Sequence, residues 1–102
     1  MKNICLLGAS GSIGSQSVDV IKKYPKLFKL VAVSVNKSIE YLEELIKNFP
    51  SVKYVCIGIE ELYIEFQSKH PNIICFYGDE GLNKLATLKE VNYVINDLFV
   101  FN

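Results

Sequence analysis

Seven residues near the amino terminus carry the clearest chemistry. Gly8-Ala9-Ser10-Gly11-Ser12-Ile13-Gly14 places glycines at the G-x-x-G-x-x-G spacing, directly after a short apolar run and directly before an amphipathic segment. Gly8 permits a tight strand-to-helix turn, which often needs positive φ. Gly11 lets a phosphate approach the backbone with no Cβ in the way, and Gly14 lets the helix pack close to the sheet. The N–H groups near Gly11, Ser12 and Ile13 then point at a pyrophosphate, and the helix dipole favours its negative charge. The hydroxyls of Ser10 and Ser12 add donors. The same spacing also suits a tight turn that binds nothing.

A second group lies about 20 residues further on, in Ser34-Val35-Asn36-Lys37-Ser38. NAD sites usually carry an Asp or Glu here, at the end of the second strand, bonded to the ribose 2′-hydroxyl. This segment has no acid before Glu40. A cation, Lys37, can pair with a 2′-phosphate, and Asn36 and Ser38 can donate hydrogen bonds to it. That chemistry selects NADP over NAD. The alternative is a solvated loop charge at Lys37 and a plain helix cap at Ser38.

These groups need elements to position them. Ile4-Cys5-Leu6-Leu7 reads as a strand buried on both faces. Ser12 to Tyr24 reads as a helix, with Ile13, Ser17, Val20, Ile21 and Tyr24 as its core-facing stripe and Pro25 as its stop. Leu30 to Val35 is a second strand. Ser38 then caps a helix whose apolar face is Leu42, Leu45 and Ile46, ending before Pro50. Tyr54 to Ile57 is a third strand. Glu60 to Lys69 is a third helix, with apolar contacts from Leu62, Ile64 and Phe66. Ile73 to Tyr77 is a fourth strand, and a short helix runs from Asp79 or Glu80 through Ala86. Val91 to Ile95 is a fifth strand, extendable toward Phe101.

This alternation predicts an α/β fold: a Rossmann-type parallel sheet of about five strands with helices on both faces, in one domain spanning 1–102. The expected strand order starts 3-2-1, with the fourth and fifth strands on the far side of the first.

Composition narrows the function classes. The 102 residues include 11 basic and 11 acidic side chains. Such balance gives no support for a nucleic-acid or membrane surface. No apolar run approaches the ~20 residues that span a bilayer, and the start is too short for a signal-peptide core. A cytoplasmic protein is expected. Cys5, Cys56 and Cys75 lack the paired spacing of a zinc site and read as buried thiols. The acids Asp19, Glu40, Glu43, Glu44, Glu60, Glu61 and Glu65 form no convergent pair. His70, before Pro71, reads as structural or solvated, and Tyr24, Tyr54 and Tyr77 as core or boundary aromatics. No catalytic residue and no metal ligand set is expected within the chain.

With these two motifs together, the sequence resembles the 1-deoxy-D-xylulose 5-phosphate reductoisomerase family. The resemblance rests on residues 3–14, on Val18-Asp19-Val20, and on Phe28 to Ser34 leading to Asn36-Lys37. Gly81-Leu82, Glu90-Val91 and Val94-Ile95-Asn96 match as well. It implies an NADPH-dependent enzyme of the non-mevalonate isoprenoid pathway. Such an enzyme isomerises 1-deoxy-D-xylulose 5-phosphate with a divalent metal (Mg or Mn), then reduces the product to 2-C-methyl-D-erythritol 4-phosphate. This chain matches the NADPH-binding amino-terminal part. The resemblance places Ser10, Gly11, Ser12 and Ile13 at the pyrophosphate, Asn36, Lys37 and Ser38 at the 2′-phosphate, and Asn96 near the nicotinamide. It also implies a homodimeric full-length enzyme.

Relatives often carry Gly and Asn where Asn36 and Ser38 stand. After Asn96 the family continues with small residues and glycines, whereas this chain reads Asp97-Leu98-Phe99-Val100-Phe101-Asn102. The expectation is a truncated domain, inactive alone, with the metal and phosphosugar sites in parts it lacks. Two alternatives are a stand-alone nucleotide-binding module and a piece of another oxidoreductase with the same turn. An example of the latter is the aspartate-semialdehyde dehydrogenase group, which would need a cysteine beyond residue 102.

Overall fold

The computed structural model describes residues 1–96. Strands and helices alternate as β1 (Lys2–Leu7), α1 (Ser12–Lys23), β2 (Phe28–Val35), α2 (Ile39–Asn48), β3 (Tyr54–Ile57), α3 (Glu60–Lys69), β4 (Ile74–Tyr77), α4 (Gly78–Ala86) and β5 (Tyr93–Asn96). Every pairing is parallel. The Rossmann-type α/β expectation holds. The extension of the fifth strand toward Phe101, and the tail 97–102, lie outside the described residues.

The strand order is β4-β3-β2-β1-β5, which corrects the expected one. β4 lies outside β3, and β5 alone reaches the far side of β1. Three steps carry the chain in one direction, from β1 to β4, and α4 then returns it across the sheet to β5. Each step is a similar βαβ unit, so nothing local in the sequence marks where the direction reverses. The exposure of Ile74 and Tyr77 is that of an edge strand.

Crossover handedness distributes the helices. Steps in one direction put α1, α2 and α3 on one face, where Ile21, Leu42, Leu45 and Phe66 pack on Ile4, Leu6, Val33 and Ile57. The return step puts α4 on the other face, where Leu85 meets Cys5, Leu7 and Cys56. Fully burying side chains such as Leu6, Leu30, Leu42 or Phe66 stabilises by roughly 1.5–3 kcal/mol each.

Alternation along β2 is interrupted once. Ile4 pairs with Leu30 but Cys5 pairs with Ala32, so Val31 has no β1 partner. Val31 and Ala32 both pack on the α4 side. The extra residue is a bulge, and it resets which face every later β2 residue takes.

Two helix faces differ from expectation. On α1 only Ile21 of the expected stripe is buried, whereas Ile13, Val20 and Tyr24 are exposed. Ile13 and Val20 instead line an apolar groove of about 300 Å³ with Ile4, Phe28 and Ile95. The stripe exists, but no described element covers its β5 side. On α3, Ile64 is 60% exposed and Phe66 is buried, with Leu62 and Tyr63 packed beside it. Residues 62 and 66 share a face at a four-residue step, and residue 64 points away from it.

Candidate functional site

The glycine turn sits at the carboxyl end of β1. Gly8 has φ 71°, the left-handed conformation that glycine adopts without strain. Its carbonyl accepts the Gly11 N–H at 3.0 Å. Gly11 then occupies the N-cap of α1, so no side chain covers the first helical turn. The first helical bond runs from Ser15 N–H to the Gly11 carbonyl at 2.8 Å. Ser12 and Ile13 therefore have N–H donors with no acceptor earlier in the helix, the usual condition of an anion-binding helix start. Ser10 and Ser12 are exposed beside them. A Cβ at residue 14 would lie 2.5 Å from the Gly8 carbonyl oxygen and 2.7 Å from that of Ala9. Only glycine lets α1 seat this close to the turn.

Ser34, near the end of β2, completes the turn. Its Oγ accepts the Gly8 N–H at 2.9 Å, and its carbonyl accepts the Ala9 N–H at 2.9 Å. Ser34 is 2% exposed and is the buried polar residue among those described. The glycine spacing does not mark it. The available signal was one hydroxyl in the apolar run Leu30 to Val35.

Beyond it the chain leaves the sheet through Asn36 and Lys37, both exposed, and half-buried Ser38. Lys37 has no ion pair among the described residues. Ser38 takes the expected N-cap position of α2, but its side chain makes no capping hydrogen bond. This differs from the expected hydroxyl cap, because φ −81° and ψ 67° depart from the extended geometry that aims the oxygen at the first turn. The Asn36 carboxamide oxygen fills the space a side chain at residue 58 would need. The Gly58 N–H bonds both the Val35 and Asn36 carbonyls, which holds this corner against β3.

Asn96 ends β5, in register with Leu7 at the end of β1. The strand order reverses between these two parallel strands, and ligands of open α/β sheets bind outside the carboxyl ends of strands at such a point. Residues 8–14, Asn36 to Ser38 and Asn96 thus all leave the same edge of the sheet. All ten expected site residues, Gly8, Ser10, Gly11, Ser12, Ile13, Gly14, Asn36, Lys37, Ser38 and Asn96, lie at or just beyond the carboxyl ends of β1, β2 and β5.

Other reactive side chains serve the fold. Cys5, Cys56 and Cys75 are free and buried. Burial, with the neighbouring Cys56, pushes the Cys5 thiol up to about 12. Burial raises Cys56 to about 11, helped by Asp79, and Cys75 to about 11, helped by Cys56. Thiols so raised are not nucleophiles at neutral pH. His70 Nε2 lies 2.7 Å from Glu43 Oε1 and its ring stacks on Phe66, so it joins the end of α3 to α2. Among the described residues, no three His, Cys, Asp or Glu side chains come together as a metal site would need.

Comparison with known proteins shows the family of the chain. The profile of the 1-deoxy-D-xylulose 5-phosphate reductoisomerase family matches residues 4–101. The chain belongs to that family. A reductoisomerase from Clostridium novyi is 45% identical over 103 residues, covering 96% of this chain and 26% of that protein. One from Bacillus thuringiensis is 44% identical over 96 residues, covering 94% of this chain and 25% of that protein. The chain thus spans about a quarter of the length of the curated relatives it matches. Among solved structures, a reductoisomerase in complex with NADPH, fosmidomycin and magnesium superposes with a TM-score of 0.84 at 26% identity, over 92% of this chain and 24% of that one. The Zymomonas mobilis reductoisomerase in complex with NADPH gives 0.76 at 22% identity, over 87% and 24%, and shares the fold. The family match runs through the glycine turn, the end of β2 and β5 alike.

Proposed function

We propose that this chain is the NADPH-binding domain of a 1-deoxy-D-xylulose 5-phosphate reductoisomerase. One observation carries the reading. The uncapped start of α1 follows β1, where the strand order reverses, and Lys37, with no ion pair among the described residues, and Ser38, whose hydroxyl makes no capping bond, follow the neighbouring β2 at the same edge of the sheet. The N–H groups of Ser12 and Ile13 and the hydroxyls of Ser10 and Ser12 hold the pyrophosphate. Lys37, Asn36 and Ser38 hold the 2′-phosphate. Asn96 lies toward the nicotinamide. Gly8, Gly11 and Gly14 shape the turn and keep Cβ atoms away from the cofactor. When bound, NADPH supplies hydride.

In the enzyme that the family implies, the substrate is isomerised with a divalent metal and reduced to 2-C-methyl-D-erythritol 4-phosphate, in isoprenoid precursor biosynthesis. The described residues hold no site for that metal, so we assign them cofactor binding and no catalytic step. The chain alone turns over no substrate. We also propose a cytoplasmic location and a homodimeric full-length enzyme, with no nucleic-acid or membrane partner. Three free cysteines agree with a reducing compartment, and no described helix is long and apolar enough to cross a membrane.

Calorimetric titration with NADPH and NADH tests the cofactor. NADPH binds more tightly, and Lys37→Ala weakens it by roughly 1–3 kcal/mol, the loss of a charge-assisted contact, while leaving NADH nearly unchanged. Equal or preferential binding of NADH overturns the reading.

A further inference from the structure

We infer that Ser34 is a positioning residue for the dinucleotide turn, and that it acts through Gly8 without touching the cofactor. The inference rests on the NADPH reading above and goes beyond it to a residue that no glycine motif includes.

The geometry is specific. The Ser34 hydroxyl accepts the Gly8 N–H at 2.9 Å, and the Ser34 carbonyl accepts the Ala9 N–H at 2.9 Å. These two donors point inward, at β2. They are taken before a phosphate arrives, as is the Gly11 N–H by the Gly8 carbonyl, so none of the three is left for a pyrophosphate. The next link runs from the Gly8 carbonyl to the Gly11 N–H, at the N-cap of α1. The carbonyls of Gly8 and Ala9 also form the floor against which Gly14 packs. The hydroxyl of Ser34 therefore sets the left-handed turn at Gly8, and the turn sets the direction of the α1 donors.

Two features say that this contact is built in. The first is burial: Ser34 is 2% exposed in a strand otherwise apolar from Leu30 to Val35. A hydroxyl there costs desolvation unless it is bonded. The second is the bulge at Val31. It shifts the register by one residue and puts Ser34 on the α4 face, where it lines a cavity of about 190 Å³ with Cys56 and Leu82. Ser34 also lies two residues before Asn36.

The test uses the full 102-residue chain with Ser34→Ala and Ser34→Thr. Amide hydrogen exchange is followed by NMR without ligand, and NADPH and adenosine 2′-monophosphate are titrated by calorimetry. In Ser34→Ala the Gly8 amide exchanges about tenfold faster, the effect of one lost hydrogen bond. The Ala9 amide, bonded to a backbone carbonyl, and the Leu6 amide in β1 keep their protection. NADPH affinity falls about tenfold, and that of adenosine 2′-monophosphate, which has no pyrophosphate, is unchanged. Ser34→Thr keeps the hydroxyl and restores NADPH binding.

Faster Gly8 exchange with unchanged NADPH affinity overturns the inference. So does equal weakening of both ligands together with lost Leu6 protection, which is general destabilisation. If the wild-type chain binds neither ligand, the functional reading fails. The Gly8 amide then decides separately whether Ser34 holds the turn: unaltered exchange in Ser34→Ala refutes it, and faster exchange at Gly8 alone upholds it.

Discussion

Tyr54 donates its hydroxyl proton to Glu90 at 2.5 Å, across the amino-terminal edge of the sheet. Lys53 reaches the other carboxylate oxygen at 3.5 Å. The Glu90 carbonyl accepts from the Asn3 side chain at 2.9 Å, and Asn92 bonds the Asn3 backbone on both sides. This clasp ties the α4–β5 connection to the starts of β1 and β3, at the opposite edge from the candidate site.

A pH dependence follows from it. The Tyr54 hydrogen bond, aided by Lys53 and Lys29 and opposed by burial, lowers the Glu90 carboxyl below its ordinary 4.5. The same bond, with burial and the Glu90 charge, raises the Tyr54 phenol above its ordinary 10.0. A lowered carboxyl contributes stability above its unfolded pKa and loses it as pH falls through the folded one. A raised phenol contributes stability below its unfolded pKa and loses it as pH rises through the folded one. Thermal unfolding should therefore show the contribution of the pair in full between 4.5 and 10.0 and fading outside. Tyr54→Phe should lower Tm at neutral pH and flatten both limbs. Parallel profiles for the two proteins contradict the clasp.

Gly14→Ala adds a Cβ that meets two backbone carbonyl oxygens at 2.5 and 2.7 Å. Neither is the end of a flexible side chain, so α1 must shift from the turn. Overpacking of this kind costs about 1–3 kcal/mol. The expected result is a lower Tm together with loss of NADPH affinity. Wild-type values of both in the Ala variant would show that the helix does not seat as described.

Helix α3 offers a paired comparison. Phe66 is 1% exposed under α2, and Ile64, two residues earlier, is 60% exposed. Truncating Phe66 to Ala should cost ~3–5 kcal/mol. Truncating Ile64 should stay within about 0.5 kcal/mol. Urea unfolding of both variants gives the difference directly, and similar midpoints would mean that α3 is rotated from its described position.

The three thiols give a probe of native packing. All are buried and raised to about 11 or 12, so the folded chain at pH 8 should be inert to iodoacetamide. In denaturant all three should alkylate, and mass spectrometry counts them. Rapid native labelling of Cys5, in the middle of β1, would argue against the described core.

Much of this protein was legible in its sequence because the signals are local. Apolar runs of four to six residues, helical spacing and the stops at Pro25, Pro50 and Pro71 marked five strands and four helices. The turn at Gly8 was legible because positive φ is a property of one residue. The acid-free corner at Lys37 was legible because its meaning depends on its place after the second strand. Those local rules also misplaced the outer faces of α1 and α3, where Ile13, Val20 and Ile64 count as apolar in any helical pattern but stay exposed.

Other features belong to the tertiary structure. The position of β4 beside β3 depends on which way each crossover turns, and similar βαβ units do not encode that locally. The bulge at Val31 is a mismatch between two strands, so neither strand shows it alone. The bond from Gly8 to Ser34 joins residues 26 positions apart, and it exists because the bulge turns Ser34 to the face where Gly8 waits. The sequence by itself determined the elements and the motif. The long-range pairing of β1 with β2 decided what holds the motif in shape, because a hydrogen bond between distant residues forms only once the sheet has set their register.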